Sequence, residues 1–317
     1  MSQQGRRGRP TLTPMPKSKN PHDPLQRWAQ LVPQLAARIK GQAEILARLG
    51  EAIKRCELDV VPPRGCRDCF FLAGPTGVGK TETALALGDL VFGPGHFVRF
   101  DCSEIKTLEN VTALLGDRQK DRGRFGQAYA QVPEGIWLFD EIEKAHPEFV
   151  QLFLQMTDAG RITLANGQTL DLSQIYLFVT SNLGSAAILG RDNLPFTSLE
   201  RHVVRSIQKH LRPELLARFG APYVFRPLPR EVTIEIAVLH LGDFLAWQTK
   251  KHGRVITADA EVVRFLLQRG FSARLGARPL LFAIRTYVGN AIVEHLMAGG
   301  NGSGRLVVVK DRLQLIS

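Results

Sequence analysis

"GPTGVGKT", residues 74–81, decides how the rest of the chain is read. It fits the pattern GxxxxGK[ST]. It also stands where that pattern must stand, after an apolar run, "CFFLAG" (69–74), and before a helical stretch, 80–92. Glycines let backbone N–H groups turn inward and approach phosphate oxygens. A helix that begins at Lys80 adds the positive end of its dipole. Gly74, Pro75, Thr76, Gly77, Val78, Gly79, Lys80 and Thr81 are therefore read as a phosphate cradle. Lys80 places its charge on the outer phosphates, and the Thr81 hydroxyl is a natural magnesium ligand.

Further along, "GIWLFDE" (135–141) reads as a buried strand that delivers Asp140 and Glu141 at its C-terminal end. Ligands of open α/β sheets bind at that end. Asp140 is expected to hold Mg2+, directly or through water, and Glu141 to polarise the attacking water as general base. "VTSN" closes the next strand, and the uncharged amide of Asn182 is placed to orient that water or to touch the γ-phosphate. Cradle, acid pair and amide together point to hydrolysis of a nucleoside triphosphate.

Around these motifs, apolar runs alternate with helical stretches. The runs are 69–74, 96–101, 135–140, 175–181 and 223–228, and the helices between them include 80–92, 106–115 and 147–158. That alternation predicts an α/β fold with a parallel sheet covered on both faces. Leu31, Leu35 and Ile39, then Ile45, Leu46, Leu49 and Ile53, add helical spacing before "VVPPRG". After Pro229 the pattern turns mainly helical, over 231–251, 259–269 and 278–298, and ends in "GRLVVVK" and "RLQLIS", a terminal β-hairpin. The reading is a polar tail over 1–24 that cannot order itself, a large domain over 25–228 and a small domain over 229–317.

The net charge of +11 is concentrated at the two ends. Such a balance suits nucleic acid or acidic partners as well as a solvated surface. No apolar run reaches the roughly 18 residues of a membrane span, and no apolar stretch follows the basic N-terminus as a secretory signal would. The expectation is a cytoplasmic protein with no membrane partner. Cys66 and Cys69 form a CxxC pair, but no second pair accompanies it, so ordinary reduced cysteines are expected.

In order along the chain, "RIKGQAEI", "GPTGVGKTE", "DEIEKAHPEF", "DAGRIT" with "NGQTLDL", "TSNLGS", "LRPELLARF" and "GARPL" resemble the AAA+ ATPases of the Clp type, in particular the second ATPase ring of the ClpB and ClpA unfoldases. The resemblance covers roughly residues 35–317. It implies a P-loop AAA+ domain with a five-stranded parallel sheet, a smaller helical domain, ATP as nucleotide, and a homo-oligomeric ring, a hexamer in this family. It extends the nucleotide site to Glu82 and to Ile39, in the segment that lines the adenine pocket. It makes Arg218 the arginine finger that reaches the neighbouring subunit, and Arg278 a sensor of the γ-phosphate. His146 matches as well and is read as structural.

Departures from the family are equally specific. There is one ATPase module, and no "IGF" or "IGL" follows "TSNLGS", so docking to the family's peptidase partner is not expected. After "LLAR" the chain continues "FGAPY" where the family carries an acidic residue. Where the family has its "GYVG" pore loop, this chain has the shorter "GDRQKDRGRFG" (116–126). Its Arg118, Lys120, Arg122 and Arg124 dominate, and Phe125 is the candidate to replace the gripping tyrosine. The leading expectation is an ATP-driven remodeller of protein substrates whose substrate loop includes Arg122, Arg124 and Phe125. The alternative is a DNA-associated AAA+ switch, for which the basic loop and "RRGRPT", similar to an AT-hook core, would meet phosphates and the minor groove.

Overall fold

A computed structural model describes residues 23–62, 65–118, 121–188, 195–272 and 275–317. The tail reading falls almost wholly outside these residues, and Lys120 of the charged loop does too. Contacts group the chain into two compact units, one built on a five-stranded sheet and one that includes Pro227–Ser317.

In the first unit the strands are β1 (Asp68–Ala73), β2 (Phe97–Asp101), β3 (Gly135–Asp140), β4 (Ile175–Ser181) and β5 (Tyr223–Val224). All pairs are parallel, and the spatial order is β2-β3-β4-β1-β5. The α/β expectation is met. β3 and β4 are buried along their whole lengths, as continuous apolar runs require of central parallel strands. β2 lies at an edge, and Arg99 is its exposed position. The last strand is shorter than the run 223–228, because Pro227 and Pro229 have no N–H to give a ladder. Register matters for function. Ala73 pairs with Ser181, and Asp140 with Asp101, so the C-terminal ends of four strands finish level.

One face of the sheet is packed with rings. Phe100, Phe125, Trp137, Phe139, Phe149 and Phe153 interlock there, with neighbouring centroids 5.0–6.3 Å apart. Phe125 belongs to a helix, Gly123–Gln131, in a stretch read from sequence as loop. The helix Pro147–Ala159 is capped by His146, whose Nδ1 accepts the Glu148 N–H at 3.2 Å and is therefore the unprotonated ring nitrogen. That is a structural role.

The second unit packs Arg230–His252, Ala260–Gly270 and a third helical run around Leu266, Leu280, Val288 and Leu306. The third run comprises Arg278–Ala283, a π-helical turn at Ile284–Val288, and Gly289–Met297. Gly304–Val309 and Arg312–Ile316 form the antiparallel hairpin expected at the terminus. Its two-residue turn, Lys310-Asp311, takes positive φ at both positions, the conformation of a type I′ turn. Ile256–Thr257 joins the hairpin as a short parallel strand.

Candidate functional site

The phosphate-loop residues bridge β1 and the helix Lys80–Val91. Two glycines show why the loop needs them. Gly79, the residue before the helix, has φ +104, and Gly74 has φ +132 with the Phe225 carbonyl only 2.6 Å from where a Cβ would sit. Lys80 is 7% exposed. Its ammonium donates to the Gly74 carbonyl at 2.6 Å, the Pro75 carbonyl at 2.7 Å and the Asn182 Oδ1 at 3.0 Å. A buried charge needs such partners, and they aim Lys80 across the loop.

Asn182 is the connecting residue. Its Oδ1 accepts from Lys80, its Nδ2 donates to Glu141 Oε1 at 2.8 Å, and its backbone N–H donates to Glu143 Oε1 at 3.0 Å. A continuous chain of hydrogen bonds thus runs from the phosphate-loop lysine to the proposed base. Glu141 itself has φ +60 and ψ +55, a left-handed conformation unusual for a residue with a Cβ. Its other oxygen lies 2.5 Å from the Lys144 ammonium, and this hydrogen bond holds the Lys144 pKa above its ordinary value.

Asp140 is also 7% exposed. It accepts from the Thr180 hydroxyl, from Thr81 Oγ1 at 3.4 Å and from Arg99 at 2.7 Å. Thr180 in turn accepts the Glu141 N–H at 3.0 Å, so one hydroxyl orients both acids. Thr81 and Asp140 offer oxygens on facing elements, a donor set that suits a hard divalent cation. Among the described residues no group of three His, Cys, Asp or Glu side chains gathers to hold a metal by itself.

Sequence reasoning missed Arg99 and Thr180 as site residues. Arg99 lies on edge strand β2, where an arginine reads as a solvated face, and only the register places it against Asp140. Thr180 hides inside an apolar strand that reads as core. Gln42, too, was seen only as part of a motif. It is buried, and its side-chain amide pairs with both the N–H and the carbonyl of Arg226. Ile39 is buried, and its Cγ2 lies 3.5 Å from where a Gly79 Cβ would be, so it does adjoin the phosphate loop. Glu82 pairs with Arg38 at 2.7 Å and ties the segment before Ile39 to the helix Lys80–Val91.

Arg218 stands elsewhere. Arg218, on the helix Pro213–Phe219, makes a two-point pair with Asp158, at 2.5 and 2.7 Å. It borders a cavity of about 710 Å³ whose walls include Asp68 and Cys69, at the start of β1. The phosphate loop lies at the other end of that six-residue strand, about 16 Å away. Arg278 is exposed at the start of the helix Arg278–Ala283 in the second unit.

The charged loop requires a correction. Phe125 is 0% exposed and stacks within the aromatic face of the core, so it is not free to grip a substrate. The reason is the helix: its apolar positions turn inward on the sheet. The described residues on either side of Gln119 and Lys120 lie close together. The Asp117 N–H donates to the Asp121 carbonyl at 3.1 Å, the Asp121 N–H donates to the Asp117 carboxylate at 3.1 Å, and Gly116 and Gly123 touch backbone to backbone. Arg118 and Arg122 are exposed, whereas Arg124 is drawn to Glu104 at 3.1 Å.

Two family models match the chain in succession. One, described as an AAA domain (Cdc48 subfamily), matches residues 68–221, and the other, described as the C-terminal, D2-small domain of ClpB protein, matches residues 228–309. The chain belongs to the Clp-type AAA+ ATPases. This Clp-type module is 32% identical over 314 residues to the chaperone protein ClpB of Aquifex aeolicus, a match that covers 94% of this chain and 31% of the relative. It is 33% identical over 294 residues to heat shock protein 100 of Trypanosoma brucei brucei, covering 90% of this chain and 32% of that protein.

Among solved structures, the Hsp104–ADP complex of S. cerevisiae matches with a TM-score of 0.83 at 27% identity, over 92% of this chain and 53% of that one. A closed-state reconstruction of Hsp104 with ATPγS and FITC-casein matches with the same score at 26% identity, over 95% of this chain and 54% of that one. The module therefore spans about a third of the length of the curated relatives and about half of the solved chains. None of these names mentions DNA, and they lend no support to the DNA-associated alternative. No described helix is long and apolar enough to cross a membrane.

Proposed function

We propose that this chain hydrolyses ATP as a subunit of a homo-oligomeric ring and uses the cycle to remodel or unfold protein substrates. The observation that carries the reading is the hydrogen-bonded chain Lys80–Asn182–Glu141 at the level ends of β1, β3 and β4. The phosphate-loop N–H groups and Lys80 would hold the β- and γ-phosphates. Thr81 and Asp140 would hold Mg2+, which when bound neutralises charge that builds on the phosphate oxygens. Asn182 fixes the Glu141 carboxylate, and Glu141 takes a proton from the attacking water. Before that it must give up Lys144, which is exposed enough to swing into solvent.

The same strand separates two roles. Arg218 lies near the start of β1, so it cannot serve the nucleotide at that strand's end in its own subunit. This supports a finger that acts on a neighbour, and hence a ring, a hexamer by family likeness. Arg278 would report the γ-phosphate from the small domain. The described residues of the loop present Arg118 and Arg122 and no aromatic side chain, which favours acidic segments of a polypeptide over the sequence-tolerant grip of a tyrosine.

The test is ATP turnover by the purified protein alone, with an unfolded protein and with DNA, at two salt concentrations. Stimulation by unfolded protein is expected. Stimulation by DNA that fades with salt would instead assign the basic loop to phosphates, since such contacts release counterions.

A further inference from the structure

Cys66 and Cys69 meet inside the wall of the cavity beside Arg218. Their sulfurs are 3.1 Å apart, and both side chains are buried. A disulfide needs a separation of about 2.05 Å, so closing the pair asks for a movement of about 1 Å. No third ligand completes a metal site among the described residues, which leaves thiol chemistry as the use open to the pair. Of the remaining cysteines, Cys56 is held by the Asp68 carboxylate at 3.4 Å and not by another sulfur. Cys102 is sealed behind the catalytic end of the sheet.

The position of the pair matters as much as its geometry. Gly65, next to Cys66, has φ +75 and packs directly on the turn that ends the helix Pro147–Ala159. A Cβ at Gly65 would sit 2.2 Å from the Thr157 carbonyl and 2.9 Å from the Asp158 carbonyl. Asp158 is the residue that holds Arg218 at two points. There is no slack between the dithiol segment and the anchor of Arg218, so a shift of about 1 Å at Cys66 reaches that anchor.

We propose that Cys66 and Cys69 form a redox-active dithiol that closes to an intramolecular disulfide, and that closure loosens the Asp158–Arg218 pair. With a peroxide as oxidant, one thiol gives up its proton and its sulfur attacks one peroxide oxygen; the O–O bond breaks, and the departing hydroxide takes that proton, leaving a sulfenic acid and one water. The second thiol then displaces hydroxide from that sulfur, which leaves with the thiol proton as a second water. Two thiols lose two electrons and two protons, and the peroxide is reduced to two waters. The hydrogen bond to Cys66, burial and the neighbouring Asp68 and Asp158 keep the Cys69 thiol protonated, so the reaction is slow and selective for small oxidants that enter the cavity. This half of the inference does not depend on the ATPase reading.

The test uses the full chain, reduced and then treated with hydrogen peroxide. The expected product is lighter by about 2 Da, has two fewer free thiols, maps to a 66–69 link and reverts with dithiothreitol. Cys66→Ser should abolish the mass change. An unchanged mass, a link that involves Cys56, or the same loss in Cys66→Ser would overturn the site. Transmission is read separately, from the rate at which phenylglyoxal modifies Arg218, followed by peptide mass. Oxidation should raise that rate roughly two- to fivefold, the factor that an exposed ion pair of this kind supports. Equal rates in the oxidised and reduced protein would overturn the link to Arg218, whether or not the protein turns over ATP.

Discussion

Phe125→Ala separates a core residue from a gripping residue. The ring is wholly buried, and it packs on Phe100, Trp137 and Phe139 at centroid distances of 5.2, 5.7 and 6.3 Å. Truncating such a phenylalanine removes its burial and leaves a cavity, at a cost of about 3–5 kcal/mol. Its three ring contacts place the effect in the middle of that range, about 4 kcal/mol. Alanine's better helix propensity returns only a few tenths of a kcal/mol to Gly123–Gln131. The loss is a large share of the roughly 5–15 kcal/mol that holds a domain together. In equilibrium urea unfolding it lowers the midpoint by about 1–2 M, with a slope of about 2–3 kcal/mol per M. An unmoved midpoint, together with a loss of protein-stimulated turnover, would refute the burial argument and restore Phe125 as the residue that meets the substrate.

Three further outcomes follow from the geometry. Asn182→Ala cuts the link from Lys80 to Glu141, so turnover should fall about 10²–10³-fold while ATP affinity moves by less than about tenfold. A comparable loss in affinity would show that Asn182 merely holds nucleotide. Arg218→Ala should lower turnover about 10³-fold, and mixing it with Glu141→Gln subunits should recover part of the loss, because each supplies what the other lacks. Failure to recover would mean that Arg218 acts within its own subunit or only pairs with Asp158. Burial raises the Asp68 carboxyl above the ordinary range. Its folded pKa is above its unfolded one, so stability is fullest below the unfolded value and is lost as pH rises through the folded one. Asp68→Asn should therefore raise the urea midpoint at pH 7, with the gain vanishing below about pH 4. A gain that is constant with pH would contradict desolvation as the cause.

How legible the molecule was from its residues depended on the range of the interaction. β3 and β4 were readable to the residue, because strands buried on both faces carry unbroken apolar runs. The terminal hairpin was readable from its two apolar runs, although its turn uses Lys310-Asp311 instead of glycine. Lys80, Asp140, Glu141 and Asn182 were readable as a set, because local motifs at strand ends impose their spacing. Arg99 and Thr180 were not, since their roles depend on which strands are neighbours. Phe125 was misplaced for a related reason. A loop rich in arginine hid a nine-residue helix whose apolar face is recognisable only once the sheet it covers is known. The 3.1 Å approach of Cys66 and Cys69 was likewise invisible, because a CxxC spacing permits contact without requiring it.

The central claim is that Glu141, oriented by Asn182, is the base in ATP hydrolysis. The direct test is turnover by the wild-type protein and by Glu141→Gln, with bound nucleotide quantified in the same samples. The account predicts at least about a 100-fold loss of turnover with ATP retained on the variant, because the amide keeps the shape of the side chain but cannot take the proton. Turnover by Glu141→Gln equal to that of the wild type would contradict it.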